Sequence, residues 1–414
     1  MPEHCTVAIV GGGPAGLAAA VELRRQGVER VVVFERDAEA GGVPRRCGHI
    51  GFGLRDLHFL HTGPGYAGHY RRAAEAAGAE IRTSTAVTGW NGPKTLTVTG
   101  PHGPQEIQAD AVLLATGCRE RPRSARLIPG RRPQGVFTTG SLQHFAHEYD
   151  QPVGRRAVVV GAETVSFSAL LTLQRRRVRP VMMTTEEPTH QLPWLYLPAR
   201  WYLADLARVP IVCRARVSRI LGQRRVEAVE ITHLDAGRME TVACDSVIFT
   251  GDWAPEDELA RSGDLHMDPA THGPRVDACF RTSTPGVFAA GNLLRGAMAA
   301  DLVALEGRQA GRQIARFLNQ DAWPAGRIAV ESGADVAWVS PGAVSALDEL
   351  PALGAFVFQP RVFRRDGQVS VYQGERLLHR RPYRNLIPNQ PQRLDGVWLR
   401  DVDVGGPALR VVIA

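Results

Sequence analysis

The stretch Val7 to Arg36, VAIVGGGPAGLAAAVELRRQGVERVVVFER, decides the fold of this 414-residue chain. An apolar β run, Val7-Ala8-Ile9-Val10, breaks into glycine at 11, 13 and 16, the G-x-G-x-x-G spacing. An alanine- and leucine-rich helix follows, closed by Gly27, and a second β run, Val31 to Phe34, ends on Glu35. Each part has a task in holding a dinucleotide. Gly11 permits the tight turn, Gly13 lets backbone approach a pyrophosphate, and Gly16 lets helix and strand pack closely. The helix N-terminus turns its free N–H groups and positive dipole end toward the phosphates. Glu35 stands where a carboxylate accepts hydrogen bonds from an adenosine ribose.

Outward from this unit, the chain repeats itself. Ala157 to Thr185 again reads strand, turn, helix, strand, so a second dinucleotide-type domain is expected. Its phosphate loop is damaged: Gly161 is kept, but Glu163 and Ser166 hold the second and third glycine positions. A carboxylate and a Cβ then stand where backbone should meet pyrophosphate, which argues against ordinary NAD(P) binding while leaving the fold intact. Two buried strands run into Thr-Gly, at Asp110–Gly117 and Cys244–Gly251, as a duplication requires. A third, Thr284 to Asn292, ends Ala-Gly-Asn and leads into a long helix from about Ala297 to Leu318. A further helix is read at Tyr66–Ala77, and a hairpin joins Leu96–Thr99 to Glu106–Ala109. Leu192 to Leu206 is aromatic and amphipathic, read first as core packing and second as a partner interface. Past the linker at Trp323–Gly326 the pattern alternates, with strands expected at 355–363, 369–378, 397–404 and 409–413.

The expected architecture is α/β: two Rossmann-like domains, the first split in sequence, plus a small β-rich C-terminal domain. The boundaries are 1–150 for the first part of the leading domain, 151–268 for the second domain, 269–325 for the return, and 326–414 for the β-rich part.

Bulk properties exclude other classes. Hydrophobic content of 44% and charged content of 22% are those of an ordinary globular protein. The only apolar N-terminal run is the first strand, cut at once by glycines, so neither a signal peptide nor a membrane span is expected. The net charge of +7 is carried by arginine, Lys94 being the only lysine. The arginine pairs are spread along helices rather than gathered on one aromatic-lined face, which argues against a nucleic-acid partner. With one lysine, in a loop, Schiff-base catalysis is not expected. The six cysteines are scattered without C-x-x-C, giving neither a disulfide framework nor a metal centre, and a reducing cytoplasm fits them.

GGGPAG with Glu35, Ala115-Thr116-Gly117, the duplicated middle and TSTPGVFAAGN together resemble the two-dinucleotide-domain flavoproteins of the pyridine nucleotide-disulfide oxidoreductase superfamily. The likeness covers about residues 5–320. GGVPRRCGHIGFG, ATGCRERPRSARLIPG and GAETVSFSALLTL further resemble the FAD-binding subunits of heteromeric amine and amino-acid dehydrogenases, of the hydrogen cyanide synthase, opine oxidase and sarcosine oxidase α type. The resemblance implies FAD held by Gly11, Gly13, Pro14, Ala15, Gly16, Glu35, Arg36, Gly42, Val43, Val87, Ala115, Thr116, Gly117, Gly291 and Asn292, with Ala300 and Asp301 approaching the ring. It puts Cys47 and His49 beside the flavin, the two candidates for a catalytic role.

Three departures qualify it. The superfamily's pair of redox cysteines is absent, since Cys47 has no close partner in sequence. Asn292 replaces the usual ribityl-binding carboxylate. No cysteine follows Cys279, so an iron–sulfur centre of the kind some relatives carry would lie on another subunit. The implied activity is an FAD-dependent oxidoreductase serving as one component, in a hetero-oligomer, of an amine or amino-acid dehydrogenase. Alternatives are a self-contained NAD(P)H-dependent flavin or single-cysteine disulfide reductase, and a non-catalytic flavoprotein scaffold. Partners would be a small amine or amino acid or a dehydrogenase subunit, with an iron–sulfur protein as a further option.

Overall fold

A computed structural model describes residues 2–193, 197–205, 207–320, 322–346, 348–351 and 354–414. Part of the aromatic 192–206 stretch therefore lies outside the described residues. The chain forms two compact units. The first comprises residues up to Arg45, Ile50–Cys118 and Ala254–Ala414; the second comprises Arg46–His49 and Arg119–Trp253.

In the first unit, strand β1 (Glu3–Val10) leads through the glycine turn into helix α1 (Pro14–Arg25) and back through strand β2 (Val31–Phe34). Strands β1 and β2 are parallel, with Val7 opposite Val31 and Ile9 opposite Val33. On its other side β1 pairs in parallel with Gly103–Leu114, which pairs in turn with Val287–Ala289; Glu80–Arg82 flanks β2. This is the strand order of a doubly wound nucleotide-binding sheet. All four residues of β2, and Val7 to Val10, are buried, as strands covered on both faces must be. The second arm of the hairpin and the apolar run at 110–114 prove to be one twelve-residue strand, whose first half pairs antiparallel with Thr95–Gly100.

The long helix is Ala300–Gln320, and it lies directly on α1. A Cβ on Gly307 would overlap the Ala15 carbonyl, and one on Gly311 would sit 3.0 Å from the Ala19 carbonyl oxygen. Small residues on both helices thus set their spacing, and Arg312 Nε donates to Glu22 Oε1 at 2.9 Å alongside.

The second unit repeats the pattern as a five-stranded parallel sheet, in spatial order Val136–Thr138, Ser246–Phe249, Arg156–Val160, Arg179–Thr184, Ile211–Val212. A three-stranded antiparallel sheet, 215–243, adjoins it.

The seams expected after residues 150 and 268 fall instead after Cys118 and Trp253. Val136–Thr138 is the reason for the first, because this short strand pairs with Ser246–Phe249 of the second unit. The second follows from helix Glu258–Ser262, held in the first unit by Trp90, whose Nε1 donates to the Leu259 carbonyl at 2.8 Å.

The C-terminal part is β-rich, with five- and three-stranded sheets around Phe356, Phe358, Val369, Val371, Leu409 and Val411. It joins the rest of the first unit through a buried ion cluster. Arg281 donates to Asp277 at 2.8 Å and to Asp348 at 2.7 Å, and Arg327 donates to Asp277 at 3.2 Å. The strand expected at 397–404 is a 3-10 turn, Val397–Asp401, which buries Trp398 against Phe356 at 4.7 Å. Trp398 is 1% exposed, so one aromatic anchor, not alternation, decided that segment. Among the described residues no helix is long and apolar enough to cross a membrane.

Candidate cofactor site

The first unit's site is built at the head of α1. Gly11 has φ +108°, a conformation that L side chains rarely adopt, and a Cβ there would overlap the Ala115 carbonyl. At Gly16 a Cβ would overlap the Gly11 carbonyl oxygen. These two glycines close the turn onto its own backbone. Gly13 is different: its missing Cβ faces nothing within 4 Å, and neither does that of Gly117. The loop is thus tight on its inner side and open on the outer side, toward the crevice at the carboxyl ends of the strands, where doubly wound sheets bind ligands. No side chain caps α1, which leaves its N-terminus to an anion.

Glu35 is buried at the end of β2. Its Oε2 accepts from the Gly12 N–H and its Oε1 from the Asp37 N–H, both at 2.9 Å. Burial pushes its carboxyl up, against those two backbone donors. Arg36 reaches Glu256 at 3.6 Å. The Gly41 N–H donates to the Gly12 carbonyl at 2.7 Å, and Gly42 packs so closely that its Cβ would lie 3.0 Å from Gly13 Cα. Pro14 and Ala15 open α1, and Val43 begins a short 3-10 turn. Val87 sits on the strand Ala86–Trp90, opposite Val98. Thr116 Oγ1 donates to the Glu256 carbonyl at 2.8 Å, and Asn292 Oδ1 accepts from the Met298 N–H at 2.9 Å.

Ala300 and Asp301 open the long helix. Asp301 is 3% exposed and is met by both the N–H and the guanidinium of Arg55 at 3.2 Å. Sequence reasoning missed the group beside it. Tyr66 Oη lies 2.6 Å from Asp56 Oδ2 and 3.1 Å from the Ala300 carbonyl, and Tyr70 Oη donates to the same Asp56 oxygen at 2.7 Å. Burial and the neighbouring carboxylate raise both phenols, so they serve as donors. The four-residue spacing of Tyr66 and Tyr70 on one helix was the available signal; the contact to Asp56 was not.

Cys47 and His49 belong to the second unit. The Cys47 thiol donates to Gln143 Oε1 at 3.3 Å, Gln143 Nε2 donates to Ser168 Oγ at 2.9 Å, and His49 Nε2 lies 2.7 Å from that hydroxyl. The two residues are therefore joined through a polar chain against helices Thr139–Gln143 and Thr164–Arg175. Burial pushes the thiol up to about 12, which keeps it protonated at neutral pH and a poor nucleophile.

The family model for pyridine nucleotide-disulphide oxidoreductases matches residues 5–307. The chain belongs to that family. It is an FAD-dependent oxidoreductase, and FAD is the cofactor the family carries. Relatives include a putative glutamate synthase [NADPH] small chain of Cereibacter sphaeroides, 28% identical over 77% of this chain and 78% of that protein. The HcnB subunit of hydrogen cyanide synthase from Pseudomonas aeruginosa is 34% identical, over 33% of this chain and 28% of HcnB. The alpha subunit of sarcosine oxidase from Rhizobium meliloti is 24% identical over 62% of this chain and 25% of its own length. Among solved structures, thioredoxin reductase from T. acidophilum superposes with a TM-score of 0.64 at 22% identity, over 77% of this chain and all of that one, a likeness of fold. The open crevice at Gly13 and Gly117, the uncapped α1 and the buried carboxylate of Glu35 fit a dinucleotide of this kind.

A titration follows from Glu120, in the second unit. Burial pushes its carboxyl from 4.5 up to about 7, although Oε2 accepts the Gly140 N–H at 2.7 Å. A folded pKa above the unfolded one means stability is fully present below pH 4.5 and lost as pH rises through 7. Glu120→Gln is expected to raise stability at pH 8 by roughly 3 kcal/mol and to flatten the melting temperature between about pH 4.5 and 7. Differential scanning calorimetry across that range checks it; an unchanged pH profile contradicts it.

Proposed function

We propose that the chain is the FAD-bearing component of an amine or amino-acid dehydrogenase, working with a partner subunit in a reducing cytoplasm. The observation that carries this reading is the state of Cys47: buried, protonated, bonded to Gln143, and without a second cysteine close in sequence. Dithiol disulfide reduction has no chemistry to run on, which turns attention to relatives of another kind. Among them are subunits of sarcosine oxidase, hydrogen cyanide synthase and opine oxidase. In the amine and amino-acid dehydrogenases that the sequence resembles, oxidation falls on a C–N bond.

In this reading the Gly11–Gly16 turn and the head of α1 hold the pyrophosphate, with Pro14 and Ala15 in the first helical turn. Glu35 and Arg36 face the adenosine side. Gly42, Val43, Val87 and Ala115–Gly117 line the approach, and Gly291 and Asn292 take the ribityl chain. Ala300 and Asp301 stand toward the ring. The bound isoalloxazine supplies the two-electron redox chemistry. The protein's own contribution is position. Tyr66 Oη stands between Asp56 and the Ala300 carbonyl, with its one proton directed to the nearer Asp56 oxygen, and Arg55 balances the charge of Asp301 at the head of the long helix. The electron acceptor would be a partner chain, an iron–sulfur protein being one option.

A second reading, an NAD(P)H-dependent reductase, draws on the glutamate synthase [NADPH] small chains among the relatives. Co-expression with a candidate oxidase subunit separates the two. A stable complex that oxidises an amine or amino acid supports the component reading; full NADPH-dependent turnover by the chain alone overturns it.

Cys47→Ser is expected to keep its FAD and most of the complex's dehydrogenase activity, because C–N oxidation needs no thiol. A loss of about a hundredfold in rate with flavin content unchanged would return Cys47 to a catalytic role.

A further inference from the structure

The two units carry the same strand–turn–helix at matching positions, which allows a direct comparison of their crevices. Gly11, Gly13 and Gly117 of the first correspond to Gly161, Glu163 and Gly251 of the second. Around Gly13 and Gly117 a Cβ would meet nothing within 4 Å. In the second unit the Glu163 carboxylate reaches from the inner side of the turn to the place beside Gly251 that Gly117 leaves open in the first. Its Oε2 sits 2.7 Å from where a Gly161 Cβ would be, and its Oε1 sits 3.1 Å from where a Gly251 Cβ would be. Oε1 is buried and has no hydrogen-bond partner.

The surroundings are those of an anion site. The carboxylate stands at the head of helix Thr164–Arg175, whose dipole favours negative charge. Arg126 is anchored beside it, Nη2 donating to the Thr250 carbonyl at 3.0 Å and the Gly251 carbonyl at 2.8 Å. The loop beneath is fastened by a capping box between Glu163 and Ser166. The Glu163 N–H donates to Ser166 Oγ at 3.2 Å, and Ser166 Oγ lies 2.7 Å from Thr250 Oγ1.

We infer that Glu163 is a built-in substitute for a nucleotide phosphate, its carboxylate filling the crevice between Gly161 and Gly251 and shutting a latent pyridine-nucleotide site. The side chain excludes a pyrophosphate twice over, by volume and by charge, while the helix head and Arg126 remain arranged for an anion. This rests on and deepens the proposed function, since it names the residue that keeps NAD(P)H from the second unit.

The test is binding, not turnover, so failure of the amine-dehydrogenase reading leaves it standing. NADPH, NADH and ADP-ribose are titrated by calorimetry into the FAD-loaded full chain, with the flavin occupying the first unit. Wild type is expected to show no saturable binding below about 1 mM. Glu163→Gly removes the carboxylate at little cost, glycine being tolerated at an N-cap, and is expected to bind at least one of the three about tenfold tighter or more. Glu163→Ser, small and a preferred N-cap, gives the same gain and covers the case in which the glycine variant folds poorly. Tight NADPH or NADH binding by wild type, in the tens of micromolar, overturns the inference. So does a pair of folded variants, with wild-type melting temperature and FAD content, that bind none of the three better than wild type.

Discussion

Gly13→Leu is expected to yield a folded, colourless protein. No atom lies within 4 Å of the position a Cβ would take at residue 13, so the side chain meets no resistance from the protein. It enters the crevice in front of α1 instead, where a pyrophosphate would approach backbone N–H groups. Loss of that approach removes charge-assisted hydrogen bonds from an uncapped helix head. We expect FAD affinity to fall by at least about a hundredfold, or ~2.7 kcal/mol, with the far-ultraviolet circular dichroism of wild type. The check is the flavin absorbance of purified protein before and after incubation with FAD. A yellow variant with wild-type affinity would place the cofactor elsewhere.

The second large effect is on the fold. At Gly307 a Cβ would overlap the Ala15 carbonyl and lie 2.7 Å from Ala15 Cα. These are backbone atoms of α1, and they cannot swing aside as a side-chain tip can. Gly307→Val therefore forces α1 and the Ala300–Gln320 helix apart, opening a core that includes Ala19, Leu23, Ala304 and Ile314. Overpacking of this kind costs about 3 kcal/mol or more. Because α1 carries the glycine turn at its head, flavin retention should fall together with the melting temperature. Urea unfolding monitored by tryptophan fluorescence measures the first effect and visible absorbance the second. A variant as stable as wild type would show that the two helices do not depend on this contact.

How much of the molecule is legible in its sequence depends on the range of the interaction. The glycine turn, the parallel strands of both units and the fault at Glu163 follow from local spacing. The domain seams do not, because Val136–Thr138 is only three residues long and its partner, Ser246–Phe249, lies more than a hundred residues away. The same holds for Asp56, a loop residue whose meaning comes from Tyr66, Tyr70 and, through Tyr66, the Ala300 carbonyl. The strand expected at 397–404 fails for a different reason: burial of Trp398 on Phe356 outweighs a β-like pattern. Cys47 and His49 stand out in the sequence only by their position in a resemblance. The polar chain through Gln143 and Ser168 that joins them has no signature in the sequence.

The central claim is that this flavin takes its electrons from C–N oxidation and not from a pyridine nucleotide. The most direct measurement is anaerobic stopped-flow reduction of the FAD-loaded protein. NADPH and NADH are run on one side, and a panel of amines and amino acids on the other. The account predicts bleaching of the flavin bands by at least one amine or amino acid at a catalytic rate, and little or none by either nucleotide. Reduction by NADPH or NADH at roughly 10 per second or faster, with no response to any member of the panel, would contradict it.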